Sequence, residues 1–550
     1  MAGCIDDLSK SMGALFTSDD DHLKELGLTD AKRAKLREIE NYYESVFSWD
    51  VKKLTNFKSS LLIDHIDHIQ EKYEMHIACY KKDAFDLKRF CLQLIISYEL
   101  YNRKNYEKSL LEIESMFLYL KSCKFDDSNK QYSEAYKHIA WSTYTYISLT
   151  LNRDSEKILE NVKPVNGLNQ TEKAAICGLK ALIFMEYPPK GNDIGLKLAE
   201  EARILDSSEI EWIKIWLKAK GRVRRFYDML KIPDEDEIHA ADILCTKTNP
   251  RDLIEASDLY INVASSYKQD KEKARKYFKI SSDVILKAIR FSENNVHELC
   301  SCLMASNRCP IMFQSKEVKN IVEKLTNIKN GQFDLALGQY FFKQEKDYEK
   351  AKMYFSRGMA VGNFDCSLNL IKTQCIESSI DEFPFVNQLK MIYDVFPSPK
   401  RRLIILLQIL YFYFYHEDNP RELMHYLKLY MDQEIEDKIK KQQIIKGSPF
   451  FKKPKCYVKY NEFLSNLLKE VKHLIKHPQW TEEEKCIIND TYVRCYKMSR
   501  VNLNENEFVD DGQMFLNKKN EDRYNKNPLK NSNNDSWRKK RNVHKNYDGQ

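Results

Sequence analysis

A recurring pair of short amphipathic helices, with small residues at fixed places, limits the folds open to this chain more than any other feature. The clearest copy is LALGQYFFKQEKDYEKAKMYFSRGMAVG, from Leu335 to Gly362. Gly338 and Phe342 fall on its first helix and Tyr348 opens the second, where Ala351, Phe355 and Gly358 follow at spacings of four and three. Small residues at Ala351 and Gly358 let neighbouring helices approach, and Phe355 fills the groove between them. Such a pair cannot bury its apolar faces alone and must stack on further pairs. ISYELYNRKNYEKSLLEIESM repeats the design with Ser97, Leu100, Tyr106, Ser109, Ile113 and Met116. Later copies carry Gly195, Ala199 and Ala202; Ala274, Phe278 and Ser281; and Leu423, Leu427 and Tyr430. Only 15 Gly and 14 Pro occur in 550 residues, too few for the turns of a strand-rich fold. The expected fold class is all-α, a superhelical solenoid of helix-turn-helix repeats.

The layout resembles the tetratricopeptide repeat, whose period is about 34 residues. The order of the copies narrows the resemblance. After the early repeat comes a polar spacer, Lys121 to Lys137. A Trp/Tyr-rich helix, AWSTYTYISL, follows with Ala140, Trp141, Tyr144 and Tyr146. A third pair has a widened turn, EYPPKGND, and ends in ARILDSS ahead of Trp212 and Trp216. This succession resembles the interferon-induced proteins with tetratricopeptide repeats over roughly residues 70–230 and more loosely to about 500. The resemblance implies a cytosolic, non-enzymatic protein of innate antiviral defence. Several members of that family bind the 5′ end of foreign single-stranded RNA in a basic channel, and others act through protein partners. No RNA-contacting residue of the family aligns one by one with this sequence.

Charge bears on that implication. The chain carries a net +7, of which +6 lies in residues 517–550, so a basic surface on the remainder must be local. The longest apolar run, Leu403 to Tyr415, has 13 residues and includes Gln408; a membrane span needs about 20, so it reads as a buried helix. MAGCIDDLSK has no apolar core of a signal peptide, so the 14 cysteines are expected reduced and packed. Dinucleotide, P-loop, zinc-protease, nucleophile-elbow and C-x-x-C motifs are absent, which argues against an enzyme and against a cofactor. Asp64, His65, Asp67 and His68 cluster, with the two histidines on one helix face; His297, Cys300, Cys302 and Cys309 also have ligand chemistry. Both groups read as packed or solvated side chains, and no metal is expected.

Two stretches are candidate RNA contacts. In EIEWIKIWLKAKGRVRRFYDML, Lys214, Lys218, Arg222 and Arg225 recur at intervals of four, four and three, opposite a buried stripe of Ile210, Ile213 and Leu217. Gly221 is expected to threaten that stripe by ending the helix. In KIKKQQIIKGSPFFKKPKCYVKY, Lys452, Lys453 and Lys455 lie among Phe450, Phe451, Tyr457 and Tyr460, the pairing of cations and stacking rings that single-strand binding uses. The same aromatics serve equally as anchors for a loop. Domain expectations are a helical cap over 1–50, the solenoid over 51–500 and a disordered, Asn-rich basic tail over 501–550. Two function classes stand at this point: capture of single-stranded, 5′-phosphorylated RNA, and a scaffold whose groove holds a peptide or helix of a partner protein.

Overall fold

The structure, a computed structural model, describes residues 28–49, 51, 59–79, 84–125, 130–153, 156–160, 162–227, 231–267, 269–293, 295–310, 315–377, 383–450, 460–476 and 479–501. All belong to one compact unit, Met1–Leu503. The expected tail beyond Val501 and most of the expected cap lie outside the described residues.

Helices account for nearly all of the described backbone, and the only paired extended residues among them are an isolated bridge from Ala84 to Lys124. Helix α1 (Asp30–Tyr42) and the longer α2 (Ser59–Cys79) precede the first repeat, α3 (Leu87–Asn102) with α4 (Tyr106–Ser122). Next come α5 (Ser133–Thr150), the single turn α6 (Glu156–Leu159), α7 (Gln170–Phe184) with α8 (Lys190–Leu205), and α9 (Ile210–Tyr227) with α10 (Glu235–Cys245). The middle holds α11 (Pro250–Ser266) with α12 (Lys271–Ser292), α13 (Val296–Ser306) with α14 (Lys316–Thr326), and α15 (Gly331–Tyr340) with α16 (Tyr348–Ala360). The last part comprises α17 (Phe364–Glu377), α18 (Phe385–Val395), α19 (Pro399–Tyr415), α20 (Pro420–Asp432), α21 (Asp437–Lys446), α22 (Tyr460–Leu474) and α23 (Glu482–Arg500). Each helix packs chiefly on its neighbours in sequence, and first helices stack on one another: α3 on α7, α7 on α9, α13 on α15, α15 on α17. This is the expected all-α superhelical solenoid.

The small positions work by contact. Gly338 on α15 lies directly under the ring of Phe355 from α16, and Gly178 on α7 under the indole of Trp212 from α9. Where serines replace glycine, they bond across the pair: Ser97 Oγ donates to Ser109 O at 2.9 Å, and Ser281 Oγ to Ser257 O at 3.2 Å. A Gly338→Val substitution forces its methyls into the Phe355 ring and costs about 1–3 kcal/mol, read as a lowered midpoint in thermal unfolding.

Local signals set several ends. Thr481 and Glu484 form the capping box of α23, each bonding the other's backbone N–H. Leu403–Tyr415 is a buried helix, as expected, and no described helix is long and apolar enough to cross a membrane. Two expectations are corrected. The polar spacer is shorter than Lys121–Lys137, because α4 runs to Ser122 and α5 begins at Ser133. Its end hides an apolar face of Tyr132, Ala135 and Tyr136, all at most 1% exposed. Phe342 does not continue α15 but sits in a π turn, Phe341–Glu345, that widens the helix end.

Candidate nucleic-acid interface

Helix α9 is built to be held from most sides. Trp212, Ile213, Ile215, Trp216, Leu217, Ala219 and Phe226 are buried, leaving a narrow strip for the cations. The helix passes unbroken through Gly221, so Lys214, Lys218, Arg222 and Arg225 share one axis after all. A glycine costs a helix interior about 1 kcal/mol, which this much tertiary burial outweighs.

The four side chains meet different fates. Lys214 is committed to acids, 2.5 Å from Glu211 and 3.1 Å from Asp252. Burial works against its charge, but the two carboxylates hold its pKa above the usual lysine range. Arg222 donates Nη1 to the carbonyl of Met185 and Nη2 to Glu186 at 3.1 Å. Glu186 also takes Lys72 Nζ from α2 at 2.5 Å. Burial penalises that carboxylate, yet Lys72 and Arg222 keep it ionised, with Lys218 adding to the field.

Around this one acid the cations accumulate. Lys88, in the first turn of α3, interacts with Lys218, Glu186, Lys72 and Asp86. Lys400, in the first turn of α19, interacts with Lys72, Arg222 and Glu186. Its neighbour Arg401 reaches Glu71 of α2 at 3.1 Å, across 330 positions of sequence. Lys72, Lys88, Lys218, Arg222, Lys400 and Arg401 thus converge from α2, α3, α9 and α19 on Glu186 and Glu71. Lys88 and Lys400 are exposed residues. Desolvation is nonetheless the largest cause lowering both, Lys88 to about 8. Both hold for ammonium groups that keep contact with solvent while protein crowds round them, and neighbouring positive charge adds to the effect.

The positive strip continues beyond α9. Burial and then Arg222 and Arg224 lower the pKa of Arg225; burial and Arg225 do the same to Arg308; burial, Lys372 and Arg308 to Lys343. Asp258 pairs with Arg308, and Glu255 is the acid that offsets Arg225 and Arg308. The π turn carries Lys343, and Lys372 stands 5.7 Å above the ring of Phe342.

Lys452, Lys453 and Lys455 lie outside the described residues. Flanking lysines of that stretch are structural: Lys440 is buried and donates to Met431 O at 2.6 Å, and Lys441 donates to Ser499 O and Val501 O. Phe450 packs on the α19–α22 core, its N–H bonding Gln408, which favours the anchoring reading for that ring. Among the described side chains, neither metal-like cluster gathers into a ligand set. His65 and His68 face Lys72, Lys400 and Arg401, which repel a divalent ion. Cys300, Cys302 and Cys309 turn to three separate partners, Gln332, Ser292 and Phe278.

No protein-family model and no curated protein matches the chain in sequence. Among solved structures, the human IFIT1 dimer with PPP-AAAA is 9% identical at a TM-score of 0.40, over 84% of this chain and 97% of that one. The human IFIT1 dimer with m7Gppp-AAAA is 10% identical at 0.40, over 85% and 100%. A monomeric IFIT1 mutant with Gppp-AAAA is likewise 10% identical at 0.40. The ligands of those complexes belong to that protein.

Proposed function

We propose that this chain is a non-enzymatic helical-repeat protein that captures single-stranded RNA by its 5′ phosphates, in the manner of a divergent interferon-induced tetratricopeptide-repeat protein. One observation carries the reading: six cations from four separate helices gather round Glu186 and Glu71, with Asp86 and Asp365 beside Lys88 and Arg401. Unpaired like charges in a confined space cost folding free energy, and the expense is explained when an anion completes the site. Helix α19 adds to the argument. Its first turn, Pro399-Lys400-Arg401-Arg402, sets three cations at the positive end of the helix macrodipole, where acids are favoured and a basic first turn opposes stability. A phosphate chain would answer both charges. Arg225, Arg308, Lys343 and Lys372 would then accompany the backbone of the following nucleotides, with Phe342 offering a ring for a base. The scaffold reading asks instead for an apolar or acidic groove, and the cations around Lys218 and Arg225 do not favour it.

Fluorescence anisotropy tests the proposal with a short single-stranded RNA bearing a 5′ triphosphate, against the same RNA with a 5′ hydroxyl. The triphosphate form should bind at least tenfold more tightly, with a salt dependence steeper by about 2 in log–log slope if three phosphates are neutralised. Equal affinities and equal slopes would sink the reading. The pH dependence is a second check. Below pH 8 the Lys88 ammonium carries its charge and holds the anion. As pH rises beyond that value the free site loses the proton, so affinity falls by up to about tenfold per unit until the anion-bound lysine itself titrates. Lys88→Arg, charged throughout, removes that fall.

A further inference from the structure

The two histidines of α2 are not explained by phosphate contacts from lysine and arginine alone. His65 lies with its ring centroid 4.7 Å from that of Tyr187, beside the turn that carries Glu186. His68 follows three residues later on the same face and is exposed. From their own helix they face Glu71 and Lys72; from the turn after α7, Glu186 and Tyr187; from α19, Lys400 and Arg401. Lys88, Lys218 and Arg222 surround the same Glu186 from α3 and α9. Imidazole is the one side chain here whose charge is decided near neutral pH, and the pair stands where cations already exceed acids.

We propose that His65 and His68 make anion capture proton-linked: the hollow takes up protons together with a polyphosphate and holds it more tightly in mildly acidic solution. This rests on the phosphate-binding reading above. In the empty protein, desolvation and the neighbouring cations keep both rings neutral, with each pKa lowered from the ordinary 6.5 to about 4. A bound polyphosphate offsets the field of Lys72, Lys400 and Arg401 and so raises each imidazole's proton affinity, while the larger share of the lowering, which comes from burial, stays in place. By linkage, a ring whose pKa rises on binding tightens the complex as pH falls, by roughly two- to fourfold between pH 7.5 and 5.5 when burial's share of the lowering remains. The terminal phosphate titrates in the opposite sense, because below its second pKa of about 6 the free ligand loses charge.

Two measurements on the full chain separate these contributions, with a 5′-triphosphorylated tetranucleotide as the probe. Calorimetric titrations at pH 6 in buffers of different ionisation enthalpy report net proton uptake on binding. The ratio of wild-type to His68→Gln affinity, followed from pH 7.5 to 5.5, cancels the ligand's own titration. His65→Gln repeats the test from the more enclosed position, and thermal unfolding checks that each variant is folded. The expected results are proton uptake by the wild type, reduced in each variant, and a ratio rising roughly two- to fourfold towards pH 5.5. A flat ratio with no reduction in uptake overturns the histidine role while leaving phosphate capture standing. Failure of the wild type to bind the probe at either pH overturns both.

Discussion

Lys88→Glu combined with Lys218→Glu should abolish triphosphate-dependent RNA binding and leave the unfolding midpoint essentially in place. Lys88 is exposed and Lys218 half-buried, and they approach each other from α3 and α9, with Glu186 and Asp86 the acids that act on Lys88. Replacing either by glutamate removes an attraction and adds a repulsion within the cation cluster, worth roughly 100-fold in affinity per site. Relief of the repulsion between the two lysines offsets most of what folding loses. Lys214→Glu provides the contrast. Lys214 is held by Glu211 and Asp252, so its reversal should destabilise the α9–α11 contact and change affinity little beyond the loss of folded protein. If Lys214→Glu instead matched the Lys88 and Lys218 reversals in binding, with folding intact, the assignment of cations within the hollow would be wrong.

The largest effect on stability should come from Trp212→Ala. Trp212 is 1% exposed, packs edge-on to Tyr132 at 5.3 Å and covers Gly178. It therefore fixes α9 against both α7 and the entry to α5. Removing so large a buried ring costs about 3–5 kcal/mol, because the surrounding helices cannot close the space without moving α9 and its cations. Thermal or urea unfolding should show a marked fall in midpoint, and RNA binding should weaken even below that midpoint as Lys218 and Arg222 lose their register. An unchanged midpoint would contradict the tight packing of the small position against its aromatic.

The repeat design was legible because it is local. Gly338 with Phe355, and Ser97 with Ser109, sit within one helical hairpin, so spacing alone reveals them. Helix ends were legible where caps are short-range, as at Thr481 and Glu484, and failed where tertiary burial decided. Gly221 looked like a stop, but a helix buried on most of its surface tolerates it.

The candidate site was mostly hidden for the opposite reason. Lys218, Arg222 and Arg225 form a visible stripe, whereas Lys72, Lys88, Lys400 and Arg401 are scattered cations that only a turn of the superhelix brings together. The 330 positions between Glu71 and Arg401 measure how far beyond sequence patterning that contact lies. One signal was present, the basic first turn of α19 ahead of thirteen residues of largely apolar helix, a charge placement that opposes the dipole. The histidine pair was visible too, but its meaning changed with its surroundings: spaced like metal ligands, the rings stand among cations.

The most direct test of phosphate capture is a crystal structure of the full chain with a 5′-triphosphorylated tetranucleotide. The terminal phosphates should lie within ion-pair distance of Lys88, Lys218 and Lys400, with the chain of nucleotides leaving towards Arg225 and Arg308. A phosphate chain bound on another face, or an RNA held by its bases with an empty hollow, would contradict it.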